Sequence, residues 1–225
     1  MQSSKINIFV AELVGTFGLV VAATGSIVFD GLMNFSLGPL FVAIIHFIGL
    51  FILVFIFGKY SMAHFNPSVT IGFAISGYVN ARLIPLYFVA QAIGAVSGSL
   101  FVKYAIGNFA KLGLNAPNFE YSLPIIFGVE ILATIFLMAA ILLILSIKNV
   151  HVVIVSAVVG GIVALDVFFL GPISGASMNP IRSFAPALTT GIFDDLWLYW
   201  TAPFVGSSIV AILMRKNFGA KNTST

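Results

Sequence analysis

The amino-acid sequence predicts an all-α membrane protein in which six transmembrane helices and two re-entrant half-helices form an inverted repeat. Three observations lead to this fold class. The 225-residue chain is 60% apolar and only 8% charged, and its mean hydropathy is +1.13, whereas about a quarter of the residues in a soluble domain are charged. Six apolar stretches approach the roughly 20 residues that cross a bilayer as a helix. The two halves of the sequence also resemble each other.

The six spans are predicted from apolar length and from backbone chemistry. The bilayer core offers no water to unpaired N–H and C=O groups, so an isolated apolar stretch must cross it as a helix. The alternating ten-residue segments that are typical of membrane β-barrels are not found in this sequence. The predicted spans are Ile6–Val28, Leu40–Phe57, Arg82–Tyr104, Leu123–Ile147, Val152–Leu170 and Leu196–Met214.

We expect a multi-pass protein of the cell membrane. The distribution of lysine and arginine predicts that both of its termini lie in the cytoplasm. Basic residues concentrate in the cytoplasmic loops of helical membrane proteins. With Met1 inside, seven lysines and arginines fall on the inner face, and only Lys103 and Lys111 fall on the outer face. The basic charge therefore indicates orientation, and it does not favour a nucleic-acid partner.

The sequence shows no pattern that indicates an enzyme, a metal site or a cofactor. Cysteine is absent, which excludes disulfides and thiolate ligands. His64 and His151 belong to no metal-ligand spacing, and neither a phosphate-binding loop nor a nucleophile–base grouping is present.

Two sequence units occur twice, which predicts one domain made of repeats at about residues 1–112 and 113–225. Glu12 and Glu130 stand in matching helix starts 118 residues apart, and the Asn-Pro pairs at Asn66 and Asn179 stand 113 residues apart. Each half then holds three spans. Because three is odd, the halves enter the membrane from opposite sides, as in many transport proteins.

Each Asn-Pro pair predicts the start of a half-helix. The segments from Asn66 to Tyr78 and from Asn179 to Gly191 are apolar but too short to span a bilayer. Asparagine is a favoured helix N-cap, and proline suits the first helical turn. Two half-helices that enter from opposite faces would meet near the midplane, with Asn66 facing Asn179. The alternative of two ordinary surface turns does not explain the apolar segment after each pair.

Over essentially its whole length the chain resembles the aquaporin, or major intrinsic protein, family. The shared features are both glutamate-bearing helices, both Asn-Pro segments, Gln91 with Gly94-Ala95, the run Gly171–Pro180, and Tyr199-Trp200. The resemblance implies a six-helix bundle with a pore through each protomer, usually a homotetramer in the lipid bilayer. It implies a passive channel, which we expect to carry water, with ammonia or urea as additional solutes.

The expected pore chemistry follows from the need to replace the hydration of a single file of water. The amides of Asn66 and Asn179 can donate to a water oxygen at the midplane. The two half-helix N-termini each carry about half a positive charge, which repels cations and interrupts the donor orientation that proton hopping needs. The backbone carbonyls expected along the path are those of Ala63, His64, Phe65, Gly175, Ala176, Ser177 and Met178.

The resemblance also implies a selectivity filter of His46, Val167, Ala176 and Arg182, located by their spacing from the two asparagines. Strict water channels usually carry phenylalanine on the second helix and histidine on the fifth. Here the second helix offers His46 and the fifth offers Val167, which should widen the opening. Plant vacuolar members, which also carry histidine on the second helix, pass water, ammonia and urea. Ser183 and Ala187 match the water-selective branch instead.

Buried charges and departures from the family pattern complete the expectations. Glu12 and Glu130 should accept backbone N–H groups of the re-entrant loops, because buried donors need partners. Asp166 has four open interpretations: it braces the outer loop, it braces Arg182, it faces a neighbouring subunit, or it contacts the substrate directly. Ser68 and Ile181 replace the usual alanines of the two motifs, and Ile181 should crowd the contact between the half-helices. Met62 replaces a usual glycine.

Three alternatives remain open at this stage. The channel could serve mainly another neutral solute, such as glycerol, urea or a metalloid acid. An ion-coupled secondary transporter would share inverted repeats and broken helices, but the expected midplane holds two neutral asparagines and no paired carboxylates. A membrane scaffold with this fold and negligible flux is the third alternative, and gating by the Asn217–Thr225 tail or the Gly107–Tyr121 loop also stays open.

Overall fold

The computed structural model describes residues 4–219, and it confirms six helices that are long and apolar enough to cross a membrane. The tail Asn217–Thr225, which was considered for gating, lies partly outside these residues. The spanning helices are α1 Lys5–Leu32, α2 Gly38–Ser61, α4 Ile84–Ala105, α5 Leu123–Leu145, α6 Val152–Phe169 and α9 Leu196–Gly219. A turn of 3₁₀ helix, Ala81–Leu83, precedes α4.

The spanning helices expose apolar side chains on the side that faces away from the bundle. On α2, for example, Leu40, Ile44, Ile48 and Ile52 recur every four residues, and each is exposed by 46% or more. A soluble monomer rarely presents continuous apolar stripes of this kind. The surface therefore suits a hydrocarbon environment.

The first predicted span ended one turn too early. Helix α1 continues past Val28 to Leu32 and includes Asp30. The Asp30 side chain is buried, and its Oδ1 accepts the backbone N–H groups of Leu37 (2.9 Å) and Gly38 (3.1 Å). The Asp30 carboxylate thus fixes the start of α2 against the end of α1. Its buried charge is tolerated in the helix because two N–H groups donate to it.

Two half-helices lie where the Asn-Pro pairs predicted them. Helix α3 spans Pro67–Ser76 and helix α8 spans Pro180–Thr190. The side chains of Asn66 and Asn179 cap them by accepting the N–H groups of Ser68 (2.9 Å) and Ile181 (3.2 Å). A single helical turn, α7 Gly171–Ser174, precedes the second loop.

Helix contacts recur in the same pairs in the two halves of the chain. Helix α1 packs against α2 and α4, and α5 packs against α6 and α9. The half-helices cross over, because α3 packs on α9 and α8 packs on α4. Each short helix is therefore held mainly by a spanning helix of the other half.

Two glycines allow the closest of these helix contacts. An added Cβ at Gly94 would lie 2.3 Å from the carbonyl oxygen of Leu13, and one at Gly206 would lie 2.5 Å from that of Ile131. Leu13 and Ile131 directly follow Glu12 and Glu130. The third helix of each half therefore touches the backbone beside the glutamate, as small residues commonly allow in membrane helix pairs.

We predict that Gly94→Ala destabilises the fold by about 2 kcal/mol or more, because the new methyl group would overlap a backbone carbonyl. The matched control is Gly161→Ala on α6, where an added Cβ meets no atom within 4 Å. That variant should be neutral or gain up to about 1 kcal/mol from helix propensity. Thermal unfolding in detergent measures both, and equal midpoints for the two variants would contradict this packing.

Candidate functional site

Three cavities follow one another along one stripe of α2 and one stripe of α6. We name them outer, central and inner according to the predicted orientation. Along α2, Val42 lines the outer cavity, His46 and Leu50 line the central one, and Val54 and Gly58 line the inner one. Along α6, Val167, Val163, Val159 and Val155 follow the same order. The i, i+4 spacing keeps each stripe on one helix face.

The central cavity is the smallest of the three. The space open to the centres of water molecules is about 60 Å³ in the central cavity, against about 500 Å³ in the outer and 320 Å³ in the inner cavity. One buried water needs about 10–15 Å³ by the same measure. The central cavity therefore has room for about four to six waters, a number that suits a short file.

The wall of the central cavity is polar on one side and aliphatic on the other. The polar side carries the two capping asparagines, His46, Arg182 and backbone of the re-entrant loops. The aliphatic side is formed by Leu19, Leu50, Val69, Leu137, Ile141, Val159 and Val163. A passing molecule can therefore form hydrogen bonds along one side only.

Asn66 and Asn179 join the two loops by reciprocal hydrogen bonds at the junction of α3 and α8. The Asn66 amide donates to the carbonyl of Met178 (2.8 Å), and the Asn179 amide donates to the carbonyl of Phe65 (2.9 Å). Each amide nitrogen has two hydrogens, so one remains on each asparagine. Both residues line the central cavity, which makes these the donors available to a solute at the junction.

The carboxyl of Glu12 holds the first re-entrant loop. It is fully buried and accepts the N–H groups of His64 (2.9 Å) and Phe65 (2.8 Å). It also accepts the Ser61 hydroxyl (2.6 Å) and the Gln91 amide (2.8 Å). Each carboxyl oxygen thus receives two donors.

Glu130 holds the second loop in the same way. It is fully buried and accepts the N–H groups of Ser177 (3.2 Å) and Met178 (2.6 Å), together with the Ser174 hydroxyl (2.9 Å). The loop N–H groups that a helix would have paired internally are satisfied by these acceptors instead.

A serine and a tyrosine complete each network, and the sequence analysis gave neither a role. Tyr87 donates to the carbonyl of Ser61 (2.9 Å), and Tyr199 donates to the carbonyl of Ser174 (2.7 Å). The two tyrosines follow their serines by 26 and 25 residues. This repeated spacing is a signal that a comparison of the two halves could have used.

The loops turn sharply through left-handed backbone conformations. In the first loop Met62, Ala63 and Phe65 have φ of 65°, 52° and 49°. In the second loop Gly175, Ala176 and Met178 have φ of 87°, 40° and 54°. A left-handed non-glycine residue costs about 1–2 kcal/mol. Met62 carries this cost where the second loop uses Gly175, so the loop keeps its shape despite the methionine.

The ring of His46 presents an acceptor to the central cavity. Its Nδ1 lies 2.8 Å from the carbonyl oxygen of Val42. Because a carbonyl only accepts, Nδ1 carries the hydrogen, and Nε2 of the neutral ring is left to accept one. His46 is 7% exposed and lines the central cavity with Arg182.

Neutral oxygens hold the guanidinium of Arg182. Nη1 donates to the carbonyl of Gly113 (3.1 Å) and to Oδ1 of Asn115. Asn115 also accepts the Ser183 hydroxyl (2.8 Å). Arg182 is 4% exposed and lines the central cavity. No sequence pattern singled out Asn115, which lies far from both Asn-Pro motifs along the chain.

The four expected filter residues lie around the boundary between the outer and central cavities. His46, Ala176 and Arg182 line the central cavity, whereas Val167 lines the outer cavity and Val163 takes the central position on α6. Of the expected carbonyl residues, Gly175 lines the outer cavity, and Phe65 does not line the central one. The remaining five line the central cavity: Ala63, His64, Ala176, Ser177 and Met178.

Ile181 and Asp166 are both buried within the single chain. Ile181 packs with Val20 and Ala95, between α1 and α4, so its bulk lies away from the half-helix contact that it was expected to crowd. Asp166 is 3% exposed within the single chain, which argues against contact with a neighbouring subunit. Its Oδ2 has no hydrogen-bond partner among residues 4–219, and we have no physical account of that atom.

Comparisons with known proteins agree with this architecture. The family profile described as Major intrinsic protein matches residues 1–214. A probable aquaporin NIP7-1 of Arabidopsis thaliana is 35% identical over 97% of this chain and 78% of its own length. Nodulin-26 of Glycine max is 35% identical over 88% of this chain and 73% of its own length. The X-ray structure of the aquaglyceroporin from Plasmodium falciparum superposes with a TM-score of 0.85 at 25% identity, covering 99% of this chain and 100% of that one.

We predict that Glu12→Gln destabilises the protein by about 3 kcal/mol, because its NH₂ group would face two buried donors. Glu120→Gln, at an exposed position, is the matched control and should change stability by less than about 0.5 kcal/mol. Thermal unfolding of both variants in detergent tests this difference. A Glu12→Gln protein as stable as the control would contradict the assignment of Glu12 as the acceptor that holds the loop.

Proposed function

The chain belongs to the major intrinsic protein family of membrane channels, and from this we propose that it is a passive channel for water that also admits ammonia or urea. The observation that carries the proposal is the junction of Asn66 and Asn179. Each amide keeps one hydrogen for a solute, in a cavity that holds only a short file of waters. Such donors replace part of the hydration that water loses on entry.

The same site opposes the passage of cations. The N-termini of α3 and α8 point their partial positive charges at the junction. Arg182 adds a full charge at the boundary with the outer cavity, where its described partners are neutral oxygens. Water held by fixed donors at the junction is also poorly oriented to relay protons.

The filter supports solutes slightly larger than water. Arg182 offers N–H donors, and Nε2 of His46 offers an acceptor across the same cavity. Water, ammonia and urea each have a hydrogen-bond acceptor for Arg182 and an N–H or O–H donor for His46. The valines at 163 and 167 leave more space than a histidine would, which favours a filter wider than that of a strict water channel. We therefore keep a facilitator for mainly another neutral solute as a second candidate, which the solute panel below decides.

An ion-coupled transporter is less well supported. The described lining of the central cavity contains no carboxyl group, so it offers no acidic site for a coupling cation. The carboxyls of Glu12 and Glu130 are occupied by loop donors. For the assembly, we propose a homotetramer in the cell membrane with both termini cytoplasmic, in keeping with the charge distribution and the apolar surface.

We predict fast osmotic shrinkage of proteoliposomes by stopped-flow light scattering, at least about tenfold above empty vesicles, with a low activation energy. Asn179→Asp should slow the flux, because the acid has no N–H to donate to Phe65 or to water. Asn118→Asp, in an outer loop, is the control. Shrinkage of the wild type no faster than that of empty liposomes would contradict the water channel.

We predict that the double variant His46→Phe/Val167→His loses most urea flux and keeps water flux. The two larger rings would narrow the boundary between the outer and central cavities, which excludes urea before water. Vesicles loaded with urea, glycerol or an ammonium gradient measure this with the same protein. Wild-type flux dominated by glycerol, with slow water, would instead support the second candidate.

A further inference from the structure

Asn115 connects three parts of the site through one buried side chain. It lies in the segment between the two halves and is 6% exposed. Its Nδ2 donates to the carbonyl of Gly175 in the second re-entrant loop (2.8 Å). Its Oδ1 accepts the hydroxyl of Ser183 on α8 (2.8 Å) and Nη1 of Arg182. All the hydrogen bonds of this amide are therefore directed at the parts that surround the filter.

The segment before Asn115 is held in an unusual backbone conformation. Ala110, Lys111 and Leu112 have φ of 45°, 49° and 53°, and Gly113 follows at 66°. Three left-handed non-glycine residues cost about 1–2 kcal/mol each, so surrounding contacts must offset this cost. Leu112 supplies one of them, because it is 1% exposed and packs with Val28 and Val102.

Gly113 fixes the position of this turn against α1. A Cβ at residue 113 would lie 2.9 Å from both Cα and the carbonyl oxygen of Thr24. No larger residue fits there without moving the helix backbone. The position of the Gly113 carbonyl is consequently fixed relative to α1. This carbonyl accepts a hydrogen bond from Nη1 of Arg182 at 3.1 Å.

Together these contacts use both hydrogens of Nη1. A guanidinium has five N–H donors, so three remain, and among residues 4–219 they have no protein partner. An arginine side chain is otherwise flexible, with about 2 kcal/mol of rotamer entropy. Without Asn115, the guanidinium could swing within a central cavity of only about 60 Å³.

We propose that Asn115 is a specificity-determining positioning residue, which holds Arg182 so that the filter separates water from larger neutral solutes and from cations. This inference rests on the proposed function. Asn115 also lines the outer cavity, but the proposed role is exerted through its hydrogen bond to Arg182. Its role is to keep the charge and the three free N–H groups of the guanidinium at one place on the path.

The first test compares solute with water permeability in the same proteoliposomes. Asn115→Ala should change the urea-to-water permeability ratio by about threefold or more, because a hydrogen bond to a charged group is lost. Asn118→Ala is the matched control, since Asn118 lies in the same segment and donates to Pro172 (3.3 Å) away from Arg182. A lower fraction of folded channels reduces both fluxes equally and leaves the ratio unchanged, which separates positioning from mere stability.

The second test changes the charge and retains an oxygen acceptor. Asn115→Asp places a carboxyl against Arg182 and should raise potassium or proton leak by about threefold or more, because it cancels the positive barrier. Asn118→Asp adds the same charge to the same segment without contacting Arg182, and it should leave the leak unchanged. If Asn115→Ala fails to fold, the comparison of the two aspartate variants alone decides the proposal.

The outcomes separate this inference from the proposed function. A wild type without water flux would overturn the proposed function. A conducting wild type with an unchanged solute ratio in Asn115→Ala and an unchanged leak in Asn115→Asp would overturn the role of Asn115 alone. A changed ratio or leak at position 115, with unchanged values at position 118, supports it.

Discussion

The structure depends on how two stretches of non-helical backbone are satisfied at membrane depth. An N–H group that faces neither water nor a helical partner costs several kcal/mol in a bilayer. Glu12 and Glu130 remove that cost by accepting loop N–H groups within 3.2 Å. These carboxyls bind the N–H groups of the loops, which leaves the other loop groups available to line the central cavity. The polar part of the cavity wall depends on this arrangement.

The two glutamate networks also explain the helix packing around them. The glycine contacts at Gly94 and Gly206 bring the third helix of each half against the backbone beside each glutamate. That close approach lets Tyr87 and Tyr199 reach the carbonyls of Ser61 and Ser174. Loop support and helix packing are therefore parts of one arrangement that occurs twice. The halves differ at the expected filter, because only the second loop is followed by an arginine.

The sequence predicted the spans and the half-helices better than the connections between them. Apolar length located every spanning helix and the Asn-Pro caps located the half-helices, because both are local signals. The predicted ends of α1, α2 and α9 came about one turn too early. The clamp on Arg182 could not be predicted, since Asn115 reaches it across 67 residues through a left-handed turn that no composition signal indicates. The position of Ile181 also required the structure, because the gap between α1 and α4 that receives it is a tertiary feature.

We propose that water crosses in single file past Asn66 and Asn179. The most direct measurement is the ratio of osmotic to diffusional water permeability, recorded with isotopically labelled water on one proteoliposome preparation. Waters that cannot pass each other make this ratio equal to the number in the file, so the central cavity predicts a value of about four to six. A ratio near one, with a protein-dependent osmotic flux, would contradict single-file passage through this cavity.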